Sequence, residues 1–181
     1  MSKIGVSKFY YGIQTAEETA TTAATYATPV AIPGLVSVEV TPSSNTSTLY
    51  ADNGPYETAS SLGEIALSID LADLPLADQA ALLGHTLTSG QLDKSANDTQ
   101  PNVAVMFEFL LGNGKKRAVK LYKGKFALVP EQGNTRGENV EFQTNQMTAS
   151  FVQLKNNGLY ESVKDFDADA STDTWYASVL S

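Results

Sequence analysis

Three stretches of this chain place apolar residues at every second position, the spacing that lines them along one face of an extended strand. In the first, Val36, Val38 and Val40 alternate with Ser37, Glu39 and Thr41. In the second, Ile65, Leu67, Ile69 and Leu71 alternate with Ala66, Ser68, Asp70 and Ala72. Each predicts a half-buried strand. The third, 103–111, carries Val103, Val105, Phe107, Phe109 and Leu111 on one face and Ala104, Met106 and Leu110 on the other, interrupted by Glu108. A strand apolar on both faces is expected to be covered on both sides.

The turns between such stretches point to antiparallel pairing. Gly112-Asn113-Gly114 separates 103–111 from a strand expected over 117–126, and Asn-Gly predicts a tight type I′ hairpin, because both residues tolerate positive φ. A Gly-rich link at 132–137 leads to a polar-alternating strand over 138–154, and Asn156-Asn157-Gly158 turns the chain into 159–163. One helix is predicted over 74–84, with Pro75 near its start, Asp78 in the first turn and Gly84 as the stop. Its stripe of Leu76, Ala80 and Leu83 should pack on a sheet edge or an open barrel end, and 163–168 offers a second helical possibility. Residues 14–33 and 41–61 read as long loops, although Thr48, Leu49 and Tyr50 give 47–51 strand propensity.

The expected architecture is mainly β: an antiparallel β-sandwich or half-open barrel with one flanking α-helix. At 181 residues it suits a single domain, 1–181, and no repeat or second core calls for another. No run approaches the roughly 20 apolar residues that cross a bilayer, and the first residues lack the apolar run of a signal peptide. The expectation is a product made in the cytoplasm, with no membrane partner.

Charge is unevenly distributed. The 12 Lys and Arg are set against 20 Asp and Glu, for a net charge of −8. Between Lys8 and Lys94 there is no Lys or Arg, while ten acidic residues fall there: Glu17, Glu18, Glu39, Asp52, Glu57, Glu64, Asp70, Asp73, Asp78 and Asp93. Against this stands a basic cluster of Lys115, Lys116, Arg117, Lys120, Lys123 and Lys125. It reads either as a solvated hairpin or as one half of a head-to-tail complementarity between copies. With two arginines, Arg117 and Arg136, the chain is poorly equipped to grip phosphates, and DNA should be repelled by most of its surface.

Sites for chemistry are sparse. With no Cys there is no disulfide, thiolate site or Cys nucleophile, and a lone His85 cannot build an ordinary zinc site. Gly112-Asn113-Gly114-Lys115-Lys116 lacks the helix that gives a phosphate loop its amides. Asp165-Phe166-Asp167-Ala168-Asp169 opens like a calcium loop, but Ala170 and Tyr176 stand where Gly and Glu are needed. Trp175 and Tyr176 are then available to anchor the tail. We expect no catalytic residues, no cofactor, no metal and no enzyme.

The segment from Leu49-Tyr50-Ala51-Asp52-Asn53-Gly54-Pro55, through Glu57 and 61–75, to Leu82-Leu83-Gly84-His85, resembles the major tail protein of long-tailed phages with non-contractile tails. The Lys- and Tyr-bearing hairpin 119–124 and the alternating strand after the Gly-rich link are similar too, and the likeness covers nearly the whole chain. The resemblance implies a tail-tube fold whose subunits form hexameric rings stacked into a hollow tube. Each subunit adds strands to a shared inner barrel, and long loops and terminal arms, here a C-terminal arm, contact adjacent rings. It also implies a virion location, further copies and tail components (tape measure, initiator, terminator) as partners, and DNA passing through without specific binding.

A low positive charge suits such a conduit, since each phosphate neutralised adds affinity and slows passage. The charge gap suggests that Lys115, Lys116, Arg117, Lys120, Lys123 and Lys125 meet Asp52, Glu57 and Glu64 of a neighbouring subunit and set register. The alternatives are a monomeric β-sandwich binding or adhesin module, for which Phe9, Tyr10 and Tyr11 are the one run of three contiguous aromatics, and another tail component such as a terminator.

Overall fold

The computed structural model describes residues 2–130 and 143–180. The chain is mainly antiparallel β with few helices, and the sheet does not close into a barrel. Among the described residues, nine strands join one sheet in the order β2-β1-β8-β9-β10-β5-β4, with β3 on β1 and β11 on β9. The strands are β1 (Lys3–Ala16), β2 (Thr25–Tyr26), β3 (Val30–Ile32), β4 (Leu35–Ala51), β5 (Gly54–Leu71), β8 (Val103–Leu111), β9 (Lys116–Phe126), β10 (Asn145–Val152) and β11 (Glu161–Phe166). A small hairpin, β6 (Thr86–Thr88) with β7 (Gln91–Asp93), stands apart. The helices are α1 (Leu76–Leu83) and the single turn α2 (Asp173–Tyr176). No helix among the described residues is long and apolar enough to cross a membrane.

Strand β8, between β1 and β9, is buried on both faces as its sequence predicts. Val103, Val105 and Phe107 point into the main core with Ile65, Leu67, Ile69 and Leu71 of β5, Met147 and Phe151 of β10, and Leu82 and Leu83 of α1. Ala104 and Met106 point the other way, into a second cluster with Tyr122, Leu154, Tyr176 and Val179. Strand β9 supports both because the sheet forks along it. Lys116 to Leu121 pair with β11, while Lys123 to Phe126 pair with β10.

Helix α1 forms where expected. Pro75 precedes its first residue and the Pro75 carbonyl accepts from the Gln79 N–H. Gly84 ends it at φ 72, with its amide returning to the Ala80 carbonyl, a left-handed stop that suits Gly. The helix is short and is buried through Gln79, Ala80, Leu82 and Leu83, so Leu76 in its first turn stays exposed rather than completing a stripe.

Several expectations are corrected. A bulge between Leu35 and Ser37 shifts the pattern in β4, so Leu35, Val38 and Val40 face the core and Val36 is exposed. The turn after β8 is not type I′: Gly114 alone has positive φ, its N–H returns to the Leu111 carbonyl, and Leu111 donates to Lys115. This is a three-residue turn with a Gly bulge. The helical possibility at 163–168 is replaced by β11, because pairing with β9 satisfies its backbone and outweighs local propensity.

Residues 41–61 are not a loop but most of a long hairpin, β4 and β5. Its Asp52-Asn53 turn has φ 49 and 61, the positive pair of a type I′ turn, as does Ser89-Gly90 between β6 and β7 at φ 50 and 83. Residues 14–33 hold the end of β1 and both short strands β2 and β3. The Gly-rich link at 132–137 and the start of the strand expected over 138–154 lie outside the described residues. Its remainder is β10.

Candidate functional site

Beyond the main sheet, β4 and β5 continue as a two-stranded arm. Antiparallel pairing runs from Ser44 with Leu62 to Ala51 with Gly54, with one register shift between Leu49 and Tyr50, and β10 joins β5 only from Ile65 onward. The arm reaches about 25 Å past the sheet at the usual rise per strand residue. None of residues 43–62 is buried. Both faces are rich in Ser and Thr, yet Leu49, Tyr50 and Tyr56 near the tip are 59%, 72% and 72% exposed. A lone two-stranded hairpin is marginal in water, and β4 presents its outer edge along its length. Within the chain, the described residues give the arm no packing partner beyond its own two strands and leave its apolar tip in solvent.

The three candidate carboxylates lie along this arm. Asp52 is in the tip turn, and Glu57 stands opposite Leu49. Glu64 is at the base and accepts from the Ser150 hydroxyl at 3.0 Å. All three are exposed.

The basic cluster is placed differently from a free patch. Arg117 makes a two-pronged contact with Asp165 at 2.6 and 2.8 Å, directly across the β9–β11 ladder. Lys115 pairs with Asp167 at 2.8 Å, and the Lys116 ammonium donates to the Ala170 carbonyl. These contacts hold Asp165 and Asp167 below the usual carboxylate range. Lys120 is fully buried and donates to the Ser178 and Val179 carbonyls at 2.7 and 3.2 Å, with its ammonium 4.2 Å from the Trp175 ring centre.

Lys123 is also buried, 2.8 Å from the Glu18 carboxylate and 3.9 Å from that of Glu17. Lys125 is exposed and sits opposite Ser150, on the side of Glu64. The chain's own groups therefore occupy five of the six candidate cations, and Asp52 and Glu57 are not brought to any of them.

Sequence reasoning missed these internal partners. Asp165 and Asp167 repeat at the same period-two spacing as Lys115 and Arg117, a complementarity that becomes visible once β11 is read as a strand. Glu18 is the deepest carboxylate of the group, its side chain inaccessible. Burial alone would raise its pKa, but Lys123, the N–H groups of Glu18 and Lys155, and the Gln14 amide outweigh burial and hold it at about 2. Glu108, the interruption in β8, is buried too, and accepts from Ser7, Thr172 and Tyr176.

The remaining motifs have structural surroundings. His85 Nδ1 lies 2.7 Å from Asp98, which also accepts from the Ser95 N–H, and both contacts hold Asp98 below its usual pKa. Phe9 and Tyr11 enter the main core, while Tyr10 stacks on Tyr176 at 4.7 Å, so the N-terminal aromatics form no exposed platform. The Asp165–Asp169 run supplies ion pairs, and no group of His, Cys, Asp or Glu among the described residues is arranged to hold a metal ion. Compared with models of protein families and with curated proteins, the chain matches none.

Proposed function

We propose that this chain is a self-assembling structural subunit of a tube of the phage-tail kind, in which rings of copies stack into a conduit for DNA. The observation that carries this reading is the arm of β4 and β5: an exposed hairpin with Leu49, Tyr50 and Tyr56 at its tip and no packing partner among the described residues beyond its own two strands. Burying that tip against a second copy removes apolar surface from water at roughly 25 cal/mol per Å². It also converts a marginal hairpin into a packed one. A contact between an arm and a different surface of the next copy is heterologous, so it closes into a ring or propagates as a tube.

The resemblance of 49–85 to major tail proteins and the antiparallel sheet with one flanking helix agree with this role. The stretch without Lys or Arg from 9 to 93 suits a tube that must not hold DNA. In this reading the arm and the sheet edges supply most of the association energy. The basic cluster is largely used within each subunit.

Mass measured by light scattering across a concentration series tests the proposal. Growth from monomer to rings or longer assemblies supports it. A mass that stays at 19.3 kDa to the highest attainable concentration favours the monomeric binding module instead.

A further inference from the structure

After β11 the chain turns back, and residues 167–180 cross the face of β8 and β9 that points away from the main core. Trp175, Tyr176, Val179 and Leu180 close the second cluster over Tyr10, Met106 and Tyr122. The resemblance implies a C-terminal arm that reaches adjacent rings, and this segment is seated closely on its own chain: a Cβ on Gly12 of β1 would stand 2.7 Å from the Val179 side chain.

Two costs are left in this seat. The Lys120 ammonium is fully buried with only the Ser178 and Val179 carbonyls as acceptors, and no carboxylate lies within ion-pair distance of it among the described residues. The Trp175 indole N–H is buried without an acceptor among the described residues. Neighbouring charges do not repair the first cost. From β11, Lys164 adds a like charge and lies 5.9 Å from the same Trp175 ring.

Glu108 of β8 is engaged by Ser7, Thr172 and Tyr176. Lys8 of β1 is committed to Thr172 and Asp173, and Lys116 of β9 to Ala170. The phenols of Tyr10, Tyr26, Tyr122 and Tyr176 also lie on this face, and the strap itself carries Asp167, paired with Lys115, and the exposed Asp169. Among the described residues this cation meets two neutral carbonyls and the face of the Trp175 ring, so it has lost most of its hydration without regaining an anion there.

We propose that residues 167–180 form a displaceable strap that opens as a unit ahead of the main core, and that the charge on Lys120 sets how readily it opens. Burial, with Lys164 adding to it, holds Lys120 at about 8, against 10.5 for an ordinary lysine. Between those values the open strap binds more protons than the closed one, so closure strengthens as pH rises through that window. Below about pH 8 the full cost of the buried charge is present. The strap is therefore loosest at neutral pH. This device stands whether or not the chain assembles.

The absence of Cys provides a clean test. Val179→Cys places one thiol on the buried face of the strap and Ala149→Cys places one in the main core. Labelling rates with a thiol reagent, divided by those of the urea-unfolded variants at the same pH, give opening constants free of the thiol's own titration. The Val179→Cys thiol should label at least tenfold faster than the Ala149→Cys thiol at pH 7. Its opening constant should fall by roughly tenfold or more between pH 7 and 9.5, as linkage to a shift of this size requires.

Adding Lys120→Met should make strap opening independent of pH. Adding Gly12→Ala should raise opening at every pH while leaving the pH trend in place. Equal opening at the two thiols, or a strap opening constant that does not change with pH in the Lys120 background, overturns the proposal.

Discussion

The carboxylate of Glu18 and the ammonium of Lys123 lie 2.8 Å apart with both side chains buried, tying the segment after β1 to the middle of β9. Removing one partner leaves the other charged in a site that excludes water. Lys123→Met should cost about 3 to 5 kcal/mol in urea unfolding, while Glu18→Leu with Lys123→Met should recover much of that loss. Because the folded Glu18 pKa is depressed, its contribution is complete above the unfolded value of about 4.3 and is lost as pH falls toward 2. Acid unfolding of the wild type should therefore steepen in that window, and the double variant should show a flatter curve.

Charge reversal of the basic turn separates an internal role from an external one. Lys115→Glu with Arg117→Glu sets like charges against Asp167 and Asp165, and should lower Tm slightly. Adding Asp165→Arg and Asp167→Lys restores both pairs with the signs exchanged. Calorimetry should show Tm recovered, and light scattering should show assembly recovered with it. Recovery of Tm without recovery of assembly would assign these cations to a neighbouring subunit instead.

Gly84 is required twice over. Its φ of 72 disfavours any side chain, and an added Cβ would come within 2.3 Å of the Thr99 carbonyl oxygen. Gly84→Ala should destabilise by about 2 kcal/mol or more, beyond the roughly 1 kcal/mol of the left-handed conformation alone. Urea denaturation read by circular dichroism measures it.

The parts of the fold that were legible in sequence are those where burial imposes a period. Ile65 to Leu71 and Val103 to Leu111 alternate because a core lies on one side or on both. Helix α1 announced itself through Pro75 and Gly84, whose backbone constraints are local. The arm was unreadable for the converse reason: from 43 to 62 neither face is buried, so nothing selects alternation, and Ser and Thr on both faces look like loop.

Strand β11 was read only at its start, within 159–163, because what carries it on to Phe166 is its ladder with β9, which joins residues 40 to 50 positions apart. The candidate site was half legible for the same reason. The six cations are local in sequence, but their partners Glu18, Asp165, Asp167 and the carbonyls near 178 return through the topology. Trp175 and Tyr176, read as tail anchors, do anchor it, against the body of their own chain.

Substitutions at the arm tip should separate assembly from folding. Leu49, Tyr50 and Tyr56 touch little in the monomer, so Leu49→Ser, Tyr50→Ser and Tyr56→Ser together should leave monomer stability nearly unchanged, within about 0.5 kcal/mol per site. Circular dichroism melts in dilute solution measure this.

Negative-stain microscopy of the concentrated wild type beside that arm-tip triple variant tests the central claim most directly. The account predicts rings or tubes for the wild type and dispersed single particles for the folded variant. Dispersed particles for both, or rings and tubes formed equally well by both, would contradict it.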